Sequence, residues 1–267
     1  MTEPLQDSAL PDAPPSELAA PPRPGISAES LTKVFHDART GDVKAADGIT
    51  FTCYHGEVFG LLGPNGAGKS TTLRMLSTVL RPTSGTACVA GHDILRAPLE
   101  VRRSIGYLSS STGLYGRLTA RETLEYFGRL HGLAPDRLKA RVAELFSVFG
   151  IEDFANVRCE KLSTGMRQKV SIARAIVHDP EILILDEPTL GLDVLVARTM
   201  IRFVEDCRDR GKCIIFSTHI LSEVERLCDR LAIIHRGRLR AVGTLEDLRR
   251  STGSRYVEEI FMSLVEE

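Results

Sequence analysis

The chain has no tryptophan, and aromatic residues make up only 6% of its 267 positions. No apolar run approaches the roughly 20 residues that cross a bilayer as a helix, so nothing in it reads as a membrane span. Six cysteines are scattered at Cys53, Cys88, Cys159, Cys207, Cys213 and Cys228, without the paired spacing of a zinc site. They read as buried or idle thiols in a reducing compartment. Neither sign of charge dominates, with 34 basic residues against 35 acidic ones. That balance lacks the basic footprint of a nucleic-acid binder, and no nucleic-acid partner is expected. The N-terminus is acidic and proline-rich, which is not the pattern of a signal peptide. A cytosolic chain, or one attached peripherally to a membrane, is the expectation.

What is present is enough apolar residue, 43%, to build a full core in one large domain or two small ones. Residues 1 to about 25 hold seven of the 13 prolines and almost no aliphatic periodicity, and read as a disordered tail. From Ile26 the pattern is strand-like, with Ile26 to Phe35 and Val43 to Cys53 alternating around a polar turn near Arg39-Thr40-Gly41-Asp42.

The chain is organised around Gly63-Pro64-Asn65-Gly66-Ala67-Gly68-Lys69-Ser70-Thr71. The apolar run Val58-Phe59-Gly60-Leu61-Leu62 precedes it, and Thr72 to Leu80 reads as a helix stopped before Pro82. Strand, glycine loop and helix in that order match a phosphate-binding loop in the context it requires. Glycines let consecutive backbone N–H groups turn inward around a triphosphate, and the helix aims its positive end at the same charge. Lys69 would reach the β- and γ-phosphates, and the Ser70 hydroxyl would bind Mg²⁺. Phe35, upstream, fits either of two roles by spacing alone: a core side chain or a ring stacked on a base.

Beyond this loop, Thr86 to Ala90 reads as a short strand, Gly91-His92-Asp93 as a turn and Ile105 to Leu108 as a strand. Thr119 and Glu122 form a capping box for a helix ending near Gly132. Leu138, Val142, Leu145, Phe146 and Phe149 lie on one face of the next helix, which Gly150 stops. Ser163 is placed to cap a helix with Val170, Ala173 and Val177 on one face. Ile182-Leu183-Ile184-Leu185 then suits a strand buried on both faces, with Asp186 and Glu187 at its C-terminal end, where open α/β sheets bind ligands. Neighbours on a strand point opposite ways, so the two carboxylates should differ in role. Asp186 would hold Mg²⁺ and Glu187 would polarise the attacking water. Cys213 to Phe216 reads as another buried strand carrying His219 just beyond its end, a candidate γ-phosphate contact. Leu231 to Ile234 and Arg238 to Val242 read as a hairpin, and Tyr256 to Val265 as an amphipathic helix packed on its own core.

The order of these pieces resembles the ATP-binding cassette ATPases, in particular the nucleotide-binding subunits of ABC transporters. The likeness runs over nearly everything from Ile26 onward. Gly63 to Thr71 looks like Walker A, Leu162 to Met166 like the family signature, and Ile182 to Glu187 like Walker B with its catalytic Glu. Leu190 to Asp193 resembles the D-loop, His219 the switch histidine and Phe35 the A-loop aromatic. The fold this implies is α/β, a P-loop NTPase (RecA-like) core with an antiparallel β-subdomain and an inserted α-helical subdomain. The domain would span 26–250 with the helical insertion at about 96–168, followed by a C-terminal helix at 251–267.

By the same resemblance the chain is an ATPase using ATP and Mg²⁺, with Lys69, Glu187 and His219 catalytic and Ser70 and Asp186 on the metal. The nucleotide would lie on Phe35 and on Gly63, Pro64, Asn65, Gly66, Ala67, Gly68, Lys69, Ser70, Thr71 and Thr72. Two cassettes would pack head to tail, as a homo- or heterodimer. Ser163 and Gly165 of one would then reach the phosphate held by the Lys69 of the other, with Asp193 close by. A separate membrane-spanning permease would dock near Ser110, Leu114 and Tyr115, placing the protein on the cytoplasmic side of the cell membrane.

Two departures stand out. The signature, usually Leu-Ser-Gly-Gly-Gln, here has Thr164 and Met166, and Ser110 stands at about the position of the Q-loop glutamine. Serine is too short for the same reach, so coupling between partner and hydrolysis is expected to be looser or carried by water. Ser111 to Tyr115, the signature and Glu258-Glu259-Ile260-Phe261 look like the sodium-extruding and ABC-2-type exporters. The alternative is a soluble cassette acting on ribosomes or nucleic acid. Such proteins usually carry two cassettes or a long coiled coil, and this sequence shows neither. A cassette serving assembly or regulation would share every motif.

Overall fold

The computed structural model describes residues 22–37, 41–109 and 113–265. Two long strands open it, β1 (Pro24–Asp37) and β2 (Gly41–Tyr54), followed by β3 (Val58–Leu62) and α1 (Lys69–Leu76). Next come β4 (Ser84–Val89), β5 (His92–Asp93), α2 (Pro98–Ser104) and β6 (Ile105–Leu108). A helical stretch holds α3 (Ala120–Leu130), α4 (Pro135–Phe149) and α5 (Thr164–Ala175). The remainder alternates, with β7 (Ile182–Asp186), α6 (Val194–Asp209), β8 (Cys213–Thr218), α7 (Leu221–Leu227) and β9 (Arg230–His235). It closes with β10 (Arg238–Gly243), α8 (Leu245–Thr252) and α9 (Val257–Val265).

The central sheet has the order β10-β9-β3-β8-β7-β6. All neighbours pair parallel except β10, which folds back on β9 through Arg236 and Gly237, both at positive φ. Every residue of β3, β7 and β8 is buried, which is why these strands read as unbroken aliphatic runs rather than alternating ones. A second sheet, β2-β1-β4-β5, is antiparallel and shares a core with β3 and α1. Phe51 of β2 stacks on Phe59 of β3 at 5.0 Å between ring centroids, fastening one sheet to the other.

The five apolar residues read on one face of α4 are all buried, and Gly150 ends the helix at φ 59. Thr119 and Glu122 close the capping box of α3, and Thr244 forms another with Asp247 at α8. Val257 and Ile260 of α9 pack with Leu62, Val224 and Leu231, so the amphipathic C-terminal helix covers the protein's own core. All six cysteines are free thiols. Among the described residues no helix is long and apolar enough to cross a membrane.

Several elements differ from expectation. Helix α1 ends at Leu76 rather than Leu80, because Thr78 takes φ 59 and the N–H groups of Val79 and Leu80 both turn back to the Arg74 carbonyl. His92 and Asp93 are not simply a turn: they form β5 and pair with Val89 and Cys88. Helix α5 stops at Ala175, short of Val177. Pro24 and Gly25, placed in the tail, belong to β1, and Gly41 and Asp42 of the expected turn belong to β2. The range 96–168 includes β6, a strand of the central sheet, and Val101 of α2, which lies in the core shared with β1 and β2. Residues 1–21 of the tail, residues 38–40 of the turn, and Ser110 lie outside the described residues.

Candidate active site

Parallel strands bring their C-terminal ends to one rim. Here β3, β8 and β7 are adjacent, so the loop after Leu62, the segment after Thr218 and the carboxylates at the end of β7 meet there. The phosphate loop is held from two sides. Gly237 N–H donates to the Ala67 carbonyl at 2.9 Å, and Asp47 N–H donates to the Gly237 carbonyl at 2.8 Å. Gly68 sits at φ 108 against the Ala45 carbonyl, so a side chain there would have both the wrong backbone and no room. Phe35 lies on β1 opposite Val43, one residue from the Lys44-Ala45 segment that backs the loop, and is 43% exposed. It lies outside the hydrophobic core, with the Lys33 ammonium 5.4 Å from its ring centroid.

Lys69 is 5% exposed. Its ammonium donates to the carbonyls of Gly63 at 2.6 Å and Pro64 at 3.3 Å and lies 3.4 Å from Glu187 Oε1. Glu187 Oε1 is also 3.3 Å from His219 Nδ1. Ser70 donates to Asp186 Oδ1 at 3.1 Å. Thr72 is buried and returns its hydroxyl to the Gly68 carbonyl at 3.0 Å, tightening the first turn of α1. Lys69, Glu187 and His219 thus form one linked group and Ser70 and Asp186 another, joined through the Ser217 hydroxyl, which bonds Asp186 and the Glu187 N–H, although the sequence scatters them over 151 positions (69 to 219).

The direction of Glu187 has a different cause from the one expected. Strand β7 ends at Asp186, and Glu187 has φ 49, so strand alternation does not aim its side chain. A non-glycine residue there costs about 1–2 kcal/mol, offset by hydrogen bonds from its N–H to the Ser217 carbonyl and hydroxyl, each 3.1 Å. Burial, with the Asp186 charge adding to it, pushes the nearby Tyr107 phenol above its ordinary range.

Among the described residues no three His, Cys, Asp or Glu side chains cluster as a metal cage. A magnesium ion does not need one, since it takes few protein ligands and keeps waters and substrate phosphates. Asp186 fits that role: it is fully buried, and its Oδ2 has no hydrogen-bond partner, beside the Ser70 hydroxyl. An unpaired buried carboxylate oxygen is costly unless a cation or water completes it.

Ser163, Gly165 and Asp193 stand apart from this cluster. Ser163 caps α5, accepting from Met166 N–H at 3.2 Å, and is exposed. Asp193 caps α6 through Leu195 and Val196 at 3.0 Å each, and Gly165 faces it. No hydrogen bond or ion pair among the described residues joins these three to the phosphate loop. Gln168 of α5 donates to the Pro188 carbonyl at 3.1 Å, tying the signature helix to the segment after Glu187. Sequence reasoning gave no role to Ser217. Its only signal is its position across from Asp186, which needs the strand register to see.

Fold and site together define a P-loop nucleotide-binding cassette. Residues 46–190 match the ABC transporter family. The ABC transporter ATP-binding protein NatA of Bacillus subtilis (strain 168) is 46% identical over 222 residues, 83% of this chain and 90% of that protein. The daunorubicin/doxorubicin resistance ATP-binding protein DrrA of Streptomyces peucetius is 41% identical over 233 residues, 87% of this chain and 69% of that one. Among solved structures, the ATP-binding subunit of an ABC transporter superposes with a TM-score of 0.82 at 32% identity, over 90% of this chain and 98% of that one. The dimeric structure of MJ0796, a bacterial ABC transporter cassette, does so at 0.76 and 25% identity, over 82% and 98%. The chain belongs to the ABC transporter family, as an ATP-binding subunit.

Proposed function

We propose that this chain hydrolyses ATP to drive export through a separate membrane-spanning subunit, from the cytoplasmic face of the membrane. The observation that carries the reading is the division of the motifs into two groups. Lys69, Ser70, Asp186, Glu187 and His219 meet in one site, linked through Ser217. Ser163 and Gly165 lie at the exposed or half-exposed start of α5, with no partner in that site. A helix N-terminus with free N–H groups is complementary to phosphate. A second cassette placed head to tail gives it one, so that two chains bury two ATP molecules.

In that arrangement Phe35 stacks on adenine, the loop Gly63 to Thr72 cradles the phosphates, and Lys69 neutralises the β- and γ-phosphates. Ser70 and Asp186 would hold Mg²⁺, which would supply positive charge to offset that of the phosphates. Glu187 accepts the proton of the attacking water, and His219 contacts the γ-phosphate. Closing on ATP and opening after hydrolysis give the membrane partner its stroke. The export assignment follows relatives whose names refer to drug resistance and Nod factor export. An exposed aromatic patch supports docking near Leu114 and Tyr115: Tyr115 is 59% exposed, stacked 6.4 Å from Phe127 and edge-on to Tyr126.

The test is ATP-dependent association. The Glu187→Gln chain should move from monomer to dimer in analytical ultracentrifugation when ATP and Mg²⁺ are added, and adding Ser163→Arg should abolish the shift. A monomer under all conditions would remove the two-cassette site.

A further inference from the structure

The parallel register of β7 and β8 places Ser217 directly beside Asp186. Ser217 is fully buried. Its hydroxyl donates to Asp186 Oδ1 at 2.8 Å and accepts from the Glu187 N–H at 3.1 Å. Chemistry fixes both directions, because a carboxylate only accepts and an amide N–H only donates. One hydroxyl therefore spans both acidic residues at the end of β7. The Ser217 carbonyl takes the same Glu187 N–H at 3.1 Å, so this residue grips Glu187 twice at its positive φ.

For Asp186, Oδ1 receives two hydroxyl protons, from Ser70 at 3.1 Å and from Ser217 at 2.8 Å. Those bonds fix the rotation of the carboxylate and leave Oδ2 buried and unpartnered. Ser70 is also the hydroxyl that a cation at this site would engage. Ser217 is the anchor that the cation reading leaves unassigned, so it can hold the carboxylate while Ser70 turns to the cation.

We propose that Ser217 is a positioning residue of the metal–nucleotide site, setting Asp186 for a divalent cation and Glu187 for hydrolysis. The proposal rests on the reading of Ser70 and Asp186 as the cation's protein ligands. Ser217 acts through Asp186 and Glu187 and not on the nucleotide. Loss of its hydroxyl should therefore weaken the metal-dependent part of ATP binding and spare the rest.

Calorimetric titration of the full chain with ATP, once in EDTA and once in excess Mg²⁺, separates these parts. The wild-type chain should bind more tightly with Mg²⁺. In Ser217→Ala that enhancement should fall by roughly tenfold, the size seen when a partner orienting a metal ligand is lost, while the EDTA affinity stays at the wild-type value. Ser217→Thr, which keeps the hydroxyl, should retain the enhancement. Should the alanine variant fail to fold, Ser217→Cys, with nearly the same volume and a weak donor, carries the same comparison. An unchanged enhancement in Ser217→Ala would overturn the proposal, as would equal losses in EDTA and Mg²⁺, which mark a merely structural role. A wild-type chain whose ATP affinity ignores Mg²⁺ would overturn the cation reading itself, and the proposal with it.

Discussion

Lys69 Nζ lies 3.4 Å from Glu187 Oε1, with the two side chains only 5% and 14% exposed. The ammonium that would meet the triphosphate is held by the carboxylate that would activate the water and by two carbonyls of its own loop. On the proposed reading, ATP would displace Glu187 from Lys69 and bring its γ-phosphate close to that carboxylate. Like charges at such range repel strongly where water is excluded.

Replacing Glu187 with Gln removes the competing charge and keeps the shape. ATP affinity should rise, while phosphate release slows by roughly 10²–10⁴, the usual contribution of a positioned base. Nucleotide titration and a phosphate-release assay on the same preparation check both. Hydrolysis at the wild-type rate would remove Glu187 from the role of base.

The helical stretch should respond to pH through His178. This imidazole stacks on His131 at 3.6 Å and donates from Nε2 to the Ile105 carbonyl at 3.0 Å, while Nδ1 is buried without a partner. Burial, with the neighbouring His131 adding to it, brings its pKa from 6.5 down to about 4. The folded chain thus binds this proton less readily than the unfolded one. The stability is fully present above pH 6.5 and is lost as pH falls from there towards 4, on the order of 2 kcal/mol by pH 5. His178→Gln can keep the bond to Ile105 and should flatten that part of the curve in urea unfolding. Parallel curves for the two proteins would contradict the assignment.

Tyr115 is exposed and stacked on Phe127, so a charge there is tolerated by the fold and opposed by an apolar partner. Tyr115→Asp should bind ATP normally and lose its membrane partner in pull-down from detergent extracts. Undiminished recovery of that partner would move the docking surface elsewhere.

Much of this architecture is legible along the chain because the decisive signals are local. The phosphate loop needs only its spacing and flanks. Both capping boxes are visible as a threonine three residues ahead of an acid. The buried strands β7 and β8 show as aliphatic runs. Helices α2 and α7 leave no such signal: each has seven residues, too few for a period to emerge. The end of α1 was missed because a threonine at positive φ, not a glycine, turns the chain. The aim of Glu187 and the place of Ser217 depend on strand register and a strained φ, which no linear pattern records. Spacing leaves Phe35 open between a core side chain and a ring stacked on a base, and its exposure speaks against the core.

The central claim is that this cassette powers a membrane partner. The direct measurement is purification of tagged Glu187→Gln protein from detergent-solubilised membranes with ATP present, followed by mass spectrometry of what comes with it. The account predicts a multi-span membrane protein in stoichiometric amount. Recovery from the soluble fraction alone, with ribosomal or nucleic-acid-associated proteins, would contradict it.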